Sequence, residues 1–166
     1  MESVEGKGQS IEEKGESTER KERFNQISII MQNYKDLIVW KKSHELTLTV
    51  FHETTHFPKD EQFVLTSQLK RACLSIPLNI VEGSGRFTDA DTVHFFQTSL
   101  GSTHETEYCL LLAKDLGYIS NEKFIEMNSV VSEVKAMLIT LIQKIRTRNS
   151  FNKKVKGLFV FLGGLF

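Results

Sequence analysis

From Asp36 onward the apolar residues fall three and four positions apart, the period of helices buried along one side. The first such segment, about Asp36–Thr54, sets Leu37, Trp40, His44, Leu48 and Phe51 on one stripe, with Trp40 and His44 expected in the core. The second, about Glu61–Glu82, carries Leu69, Ala72, Cys73, Ile76 and Ile80. The third, about Ala90–Leu116, turns Val93, Phe96, Leu100 and Leu110 inward. The fourth is the clearest: Phe124, Met127, Val131, Val134, Leu138, Leu141 and Ile145 alternate three and four apart, the seam of an antiparallel bundle. Val130, Met137 and Ile142 widen its stripe, so this helix should touch more than one neighbour.

The breaks between these segments have recognisable chemistry. Pro58 disfavours helix in the residue before it. Gly83-Ser84-Gly85 reads as a helix-stopping turn rather than a phosphate loop, since no strand precedes it and no Lys-Ser/Thr pair follows. Thr88 or Asp89 can cap the third helix, and Ser120 the fourth, through side-chain oxygens. Leu116-Gly117-Tyr118 has the form of a glycine-terminated helix end. Helices of about 28–40 Å, joined by short loops, predict an all-α chain folded as an antiparallel up-down-up-down four-helix bundle. Two positions strain that picture. Pro77 sits inside the second helix, where it removes an amide donor and must be held by neighbours. Gly101-Ser102 in the third helix suggests a close helix approach.

The pattern divides the chain into an extension (1–33), the bundle (34–148) and a tail (149–166). The first 23 residues, built mainly from Glu, Lys, Gly, Ser and Arg, have little to bury, and the extension is expected to be disordered. The tail ends in the apolar Gly157–Phe166, far short of the ~20 residues that span a bilayer, so no membrane association is expected. The amino terminus lacks the basic and apolar pattern of a secretory signal. Cys73 and Cys109 lie on apolar helix faces with no spaced framework, which together with the missing signal reads as a cytoplasmic protein.

Net charge is zero, yet unevenly spread. Glu133 is the last acidic residue, and Lys135, Lys144, Arg146, Arg148, Lys153, Lys154 and Lys156 follow it unopposed. In an up-down-up-down bundle Lys35, Arg86, Lys144, Arg146 and Arg148 gather at one end, a candidate nucleic-acid contact. Glu107 falls on the apolar stripe of the third helix, so Glu82, Arg86 and Glu107 are a candidate structural ion pair, with Lys70 as another partner for Glu107; with Glu105 the same groups read alternatively as a binding pocket. His52-Glu53-Thr54-Thr55-His56 matches the H-E-x-x-H string of zinc hydrolases. Its second histidine lies two residues before Pro58, where the helix is ending, and no third ligand follows, so it reads as a solvated helix end. No catalytic residue, cofactor, metal or small-molecule substrate is expected. Val39, Leu46 and Val50 off the first helix's stripe, with Ile125 and Ile139 on the fourth, are apolar surplus that predicts a homo-oligomer.

Several blocks in order carry a resemblance: Tyr34–Lys41, Phe57-Pro58-Lys59, Gln68–Ala72, Ser75-Ile76-Pro77, Asn79–Gly83, Gly85-Arg86, Gly101-Ser102 with Glu105 and Glu107, and Leu116–Ile119. Over roughly Tyr34–Arg146 the chain resembles the four-helix-bundle proteins encoded by intervening sequences of bacterial 23S ribosomal RNA genes, also called S23 ribosomal proteins. Val81 stands where that pattern usually has alanine. The resemblance implies a cytosolic bundle without enzymatic activity that assembles into a ring, a pentamer, and serves as a scaffold or RNA-associated binding module. A related branch, the basic accessory proteins of diversity-generating retroelements, would instead engage RNA and a reverse transcriptase; the near-neutral bundle argues against it.

Overall fold

The structure, a computed structural model, describes residues 33–163. Residues 1–32 and 164–166 lie outside the described residues, and with them the expected disorder of the extension and the last residues of the tail. Four helices make up the described chain: α1 (Ile38–Glu53), α2 (Leu65–Ser84), α3 (Asp89–Asp115) and α4 (Asn121–Gly163). Side-chain pairings show that each neighbour runs antiparallel to the next. From α2 to α3 the partners are Ile76 with Ser99, Ser75 with Ser102 and Gln68 with Glu105. From α3 to α4 they are Asp89 with Arg148 and Glu107 with Lys135. Lys42 and Glu53 of α1 meet Glu133 and Lys123 of α4, while Thr47 and Phe51 meet Cys73 and Lys70 of α2. The helices thus close a square in chain order, the expected up-down-up-down bundle.

The α4 seam packs as its spacing predicts, with Met127, Val131, Val134, Leu138, Ile142 and Ile145 buried and Phe124, Val130, Met137 and Leu141 against them. Leu69, Ala72, Cys73, Ile76 and Ile80 of α2 are likewise buried, as are Phe96 and Leu110 of α3. Thr88 caps α3 by accepting from the Asp91 amide at 3.1 Å, and Ser120 accepts from the Lys123 amide at 3.2 Å. At the end of α3 the Tyr118 and Gly117 amides reach back to the Ala113 and Lys114 carbonyls at 2.8 and 2.9 Å. That double closure needs the left-handed conformation Gly117 adopts, φ +76°.

Four expectations are corrected. The buried stripe of α1 is Val39, Ser43, Leu46, Thr47 and Val50, so Leu48 and Phe51 are exposed and His44 stacks on Trp40 at the surface, 5.2 Å between ring centres. Ser43 and Thr47 can enter the core because each hydroxyl donates to a carbonyl of its own helix, at 2.8 Å. Next, α2 begins at Leu65, since Lys59–Phe63 form a 3-10 turn and Val64 leaves helical geometry at φ −112°, ψ −97°. The close approach expected at Gly101-Ser102 is made by Ser102, whose hydroxyl bonds Ser75 of α2 at 2.9 Å, and again by Gly83, not by Gly101 itself. A side chain at Gly83 would meet the Phe96 ring at 2.9 Å, whereas Gly101 faces open space. Finally, α4 continues to Gly163, about 64 Å in all, through most of the segment read as a tail.

Pro77 is the point on which the bundle turns. Without an amide hydrogen it leaves the Cys73 carbonyl, one helical turn back, without its intrahelical donor. The Thr47 hydroxyl of α1 supplies one from 3.3 Å, sharing its proton with the Ser43 carbonyl. From the other side the Ser99 hydroxyl of α3 donates to the Ile76 carbonyl at 2.9 Å. The Cys73 thiol points at Thr47 Oγ1, 3.6 Å away.

Thr47→Val should therefore cost about 1–3 kcal/mol, the penalty of a buried carbonyl left unpaired. In a Pro77→Ala background, where the restored amide satisfies Cys73, the same change should cost well under half as much. Chemical denaturation of the four proteins checks this, and equal costs in both backgrounds would contradict it. A second expectation concerns alkaline pH. Burial pushes the Cys73 thiol up from 9.0 to about 11, against the lowering effect of its hydrogen bond to Thr47. A raised folded value means the protonated thiol's contribution is complete below pH 9.0 and lost as pH climbs to about 11. Across that window the unfolding midpoint should fall more steeply for the parent protein than for Cys73→Ala; parallel curves would contradict the assignment.

Candidate functional site

The flank of α2 that faces α3 carries Gln68, Arg71, Ser75, Asn79 and Glu82 at helical spacing, beside its buried stripe. With Glu105 of α3 and the flanking Leu74 and Leu78 they line a groove of about 400 Å³. Its polar groups are cross-linked: Gln68 Nε2 donates to Glu105 Oε1, and Ser75 Oγ accepts from Ser102 Oγ and Asn79 Nδ2, both at 2.9 Å. Glu82 is held by Arg86, whose guanidinium also lies over the Phe95 ring, 4.4 Å from its centre. Arg71 is exposed and has no carboxylate partner among the described residues. Most of these residues lie in the blocks that carry the family resemblance; Glu82 and Glu105 are also among the carboxylates read from the sequence as a pocket or an ion pair, whereas Gln68, Arg71, Ser75 and Asn79 are not singled out by composition or spacing. The available signal was a second, polar stripe on a helix whose apolar stripe was already assigned.

On the opposite edge of the bundle an apolar groove of about 450 Å³ runs between the start of α1 and the middle of α4, lined by Leu37, Ile38, Val39, Met137 and Leu141 beside Asp36. Ile38 is 63% exposed there.

The candidate basic residues meet different fates. Lys35 lies in the 3-10 turn before α1, its ammonium 6.0 Å from the Tyr34 ring centre. Arg86 is taken up by Glu82, and Arg148 by Asp89. Lys144 and Arg146 are exposed on α4, with no acidic partner among the described residues. Glu107 does not join Glu82 and Arg86, nor Lys70. Both its oxygens accept from Lys135 Nζ at 2.7 Å, because α4 rather than the end of α2 lies across from it.

His52, Glu53 and His56 come closer than their spacing suggested. α1 ends at Glu53, but a 3-10 turn, Thr54–His56, carries the chain onward before Pro58. Thr54 pins that turn by donating to the Val50 carbonyl at 2.7 Å. The imidazole centres stand 5.6 Å apart, and His52 Nδ1 is 3.6 Å from Glu53 Oε1. One ligand atom from each residue falls within 4.8 Å of the others. Lys123 of α4 stands 3.7 Å from Glu53 and 2.7 Å from Glu126. Its hydrogen bond to Glu126, foremost, raises the Lys123 pKa and keeps it charged.

No described helix is long and apolar enough to cross a membrane. None of the curated proteins matches the chain. Among solved structures it is similar to a protein of unknown function from the S23 ribosomal protein family of Bacteroides thetaiotaomicron. The two share 28% identity over 64% of this chain and 96% of the other, with a TM-score of 0.60. The model of the 23S rRNA-intervening sequence protein family matches residues 35–140, from the turn before α1 to the middle of α4. With every residue of the groove between α2 and α3 inside that span, the chain belongs to the 23S rRNA-intervening sequence protein family.

Proposed function

We propose that the protein is a non-enzymatic bundle that assembles with copies of itself into a closed ring and acts as a binding scaffold. The observation that carries this is the pair of unlike grooves on opposite edges: polar with exposed Leu74 and Leu78 between α2 and α3, apolar with exposed Ile38 between α1 and α4. Two different patches that meet head to tail generate a ring when the rotation closes. Arg71 in one groove and Asp36 beside the other supply opposite charges for that contact. The corrected α1 stripe leaves the case for an interface in place but relocates it. Val39, Leu46 and Val50 belong to the core, while Ile38, Leu48 and Phe51, with Ile125 and Ile139 of α4, face outward. Both groove carboxylates are engaged, Glu105 by Gln68 and Glu82 by Arg86, which supports a binding rather than a catalytic use. The pentamer implied by the resemblance is a ring of this kind.

A second reading adds RNA. Lys35, Lys144 and Arg146 lie toward one end of the bundle, and in a ring those ends all face one way. Glu82 and Asp89 already neutralise Arg86 and Arg148, so the patch is smaller than the sequence suggested.

Light scattering of the purified chain at micromolar concentration should give a mass several times that of the monomer. Arg71→Glu and Asp36→Arg should each shift it toward monomer, and their combination should restore it. A monomer mass for the parent protein would overturn the scaffold reading. For RNA, binding at low salt should fall linearly on a log–log plot against salt, and Lys144→Glu with Arg146→Glu should abolish it. Binding indifferent to that charge reversal would remove the second reading.

A further inference from the structure

We propose that His52, Glu53 and His56 form a binding site for a borderline divalent cation such as zinc or cobalt, separate from either groove. Two imidazoles and one carboxylate are the donor set such ions take, at about 2.0–2.2 Å from each ligand atom. Two ligands of a tetrahedral ion then stand about 3.4 Å apart. His52 Nδ1 and Glu53 Oε1, at 3.6 Å, already meet that spacing. The remaining atoms, within 4.8 Å, close by rotation of two exposed imidazoles. The backbone between them is fixed by the 3-10 turn, which removes the objection that the helix end leaves His56 at an undefined angle.

The neighbouring hydroxyl favours one ligand atom of His56. Thr55 Oγ1 donates its only proton to the His52 carbonyl at 2.7 Å, so toward His56 Nδ1, at 3.4 Å, it can only accept. That contact favours the tautomer protonated on Nδ1, which leaves Nε2 to the ion, the way an outer partner orients a metal-binding imidazole. Position favours a cation too, since the carboxyl-terminal end of α1 carries the negative end of its helix dipole. The competitor is Lys123, which faces both Glu53 and Glu126. A bound ion displaces the ammonium from Glu53 and leaves it on Glu126. Three protein ligands leave the ion's other positions to water, so the site is exchangeable.

The test is a titration of the full, untagged chain with cobalt(II) and zinc(II) in metal-free buffer, followed by visible absorption and calorimetry. One ion per chain is expected. His52→Ala and His56→Ala should each weaken binding at least tenfold, with circular dichroism unchanged. Lys123→Met should tighten it severalfold by removing the competing charge, and Glu53→Gln should weaken it severalfold, a loss that a pair of surface histidines binding without the carboxylate would not show. No saturable binding, binding that survives loss of both histidines, or indifference to Lys123→Met would each overturn the proposal.

Discussion

The bundle depends on how a proline is accommodated in the middle of its second helix. A proline there withdraws one hydrogen bond from the backbone and would cost roughly 3 kcal/mol in isolation. Here the loss becomes a connection, because the freed Cys73 carbonyl accepts from Thr47 of α1 while Ile76, next to Pro77, accepts from Ser99 of α3. Two neighbouring helices are thereby tied to the same stretch of α2 backbone. Such polar ties specify register in a way that aliphatic packing alone does not, since a slip of one residue would strand a buried carbonyl.

The same requirement explains the unusual core of α1 and α3. Small hydroxylic residues, Ser43 and Thr47 on one side and Ser99, Ser102, Thr103 and Thr106 on the other, take positions where large aliphatic residues would be expected. Each hydroxyl named in the bonding pattern donates to a carbonyl or to another hydroxyl, so none is a buried orphan. Their small volume brings the helices close, and Gly83 against Phe96 continues that approach to the end of α2. With its inner face committed to these contacts, α2 turns its polar residues outward, and the groove beside α3 follows from that division.

How legible this was depended on the kind of residue that made the contact. α4 could be read from its seam because large aliphatic side chains declare a buried face. The end of α3 could be read because Gly117 is needed for a left-handed closure. α1 misled because it has two apolar stripes, and the choice between them rests on Ser43 and Thr47, which look solvent-facing until their acceptors are known. The start of α2 misled because Asp60 and Glu61 imitate a helix beginning, although the chain bends again at Val64. Several cations are open to Glu107 in sequence, Arg86 and Lys70 among them, and only the antiparallel register, which places Lys135 opposite it, decides the partner. Of the outer groove only the charged Glu82 and Glu105 are legible as pocket groups; Gln68, Ser75 and Asn79 are not, because polar residues on a helix surface are ordinary until they converge.

A family match and a shared fold leave function to be argued from surfaces. The polar groove is carried by α2, and α2 is tied to α1 and α3, so the account stands or falls on α2 being locked to both neighbours around Pro77. Native-state amide hydrogen exchange tests that most directly. If the two hydroxyl ties hold, the amides of Leu78–Gly83 should exchange only through global unfolding, together with the cores of α1 and α3. Exchange of that half of α2 through a separate opening of much lower free energy, with the half before Pro77 still protected, would contradict it.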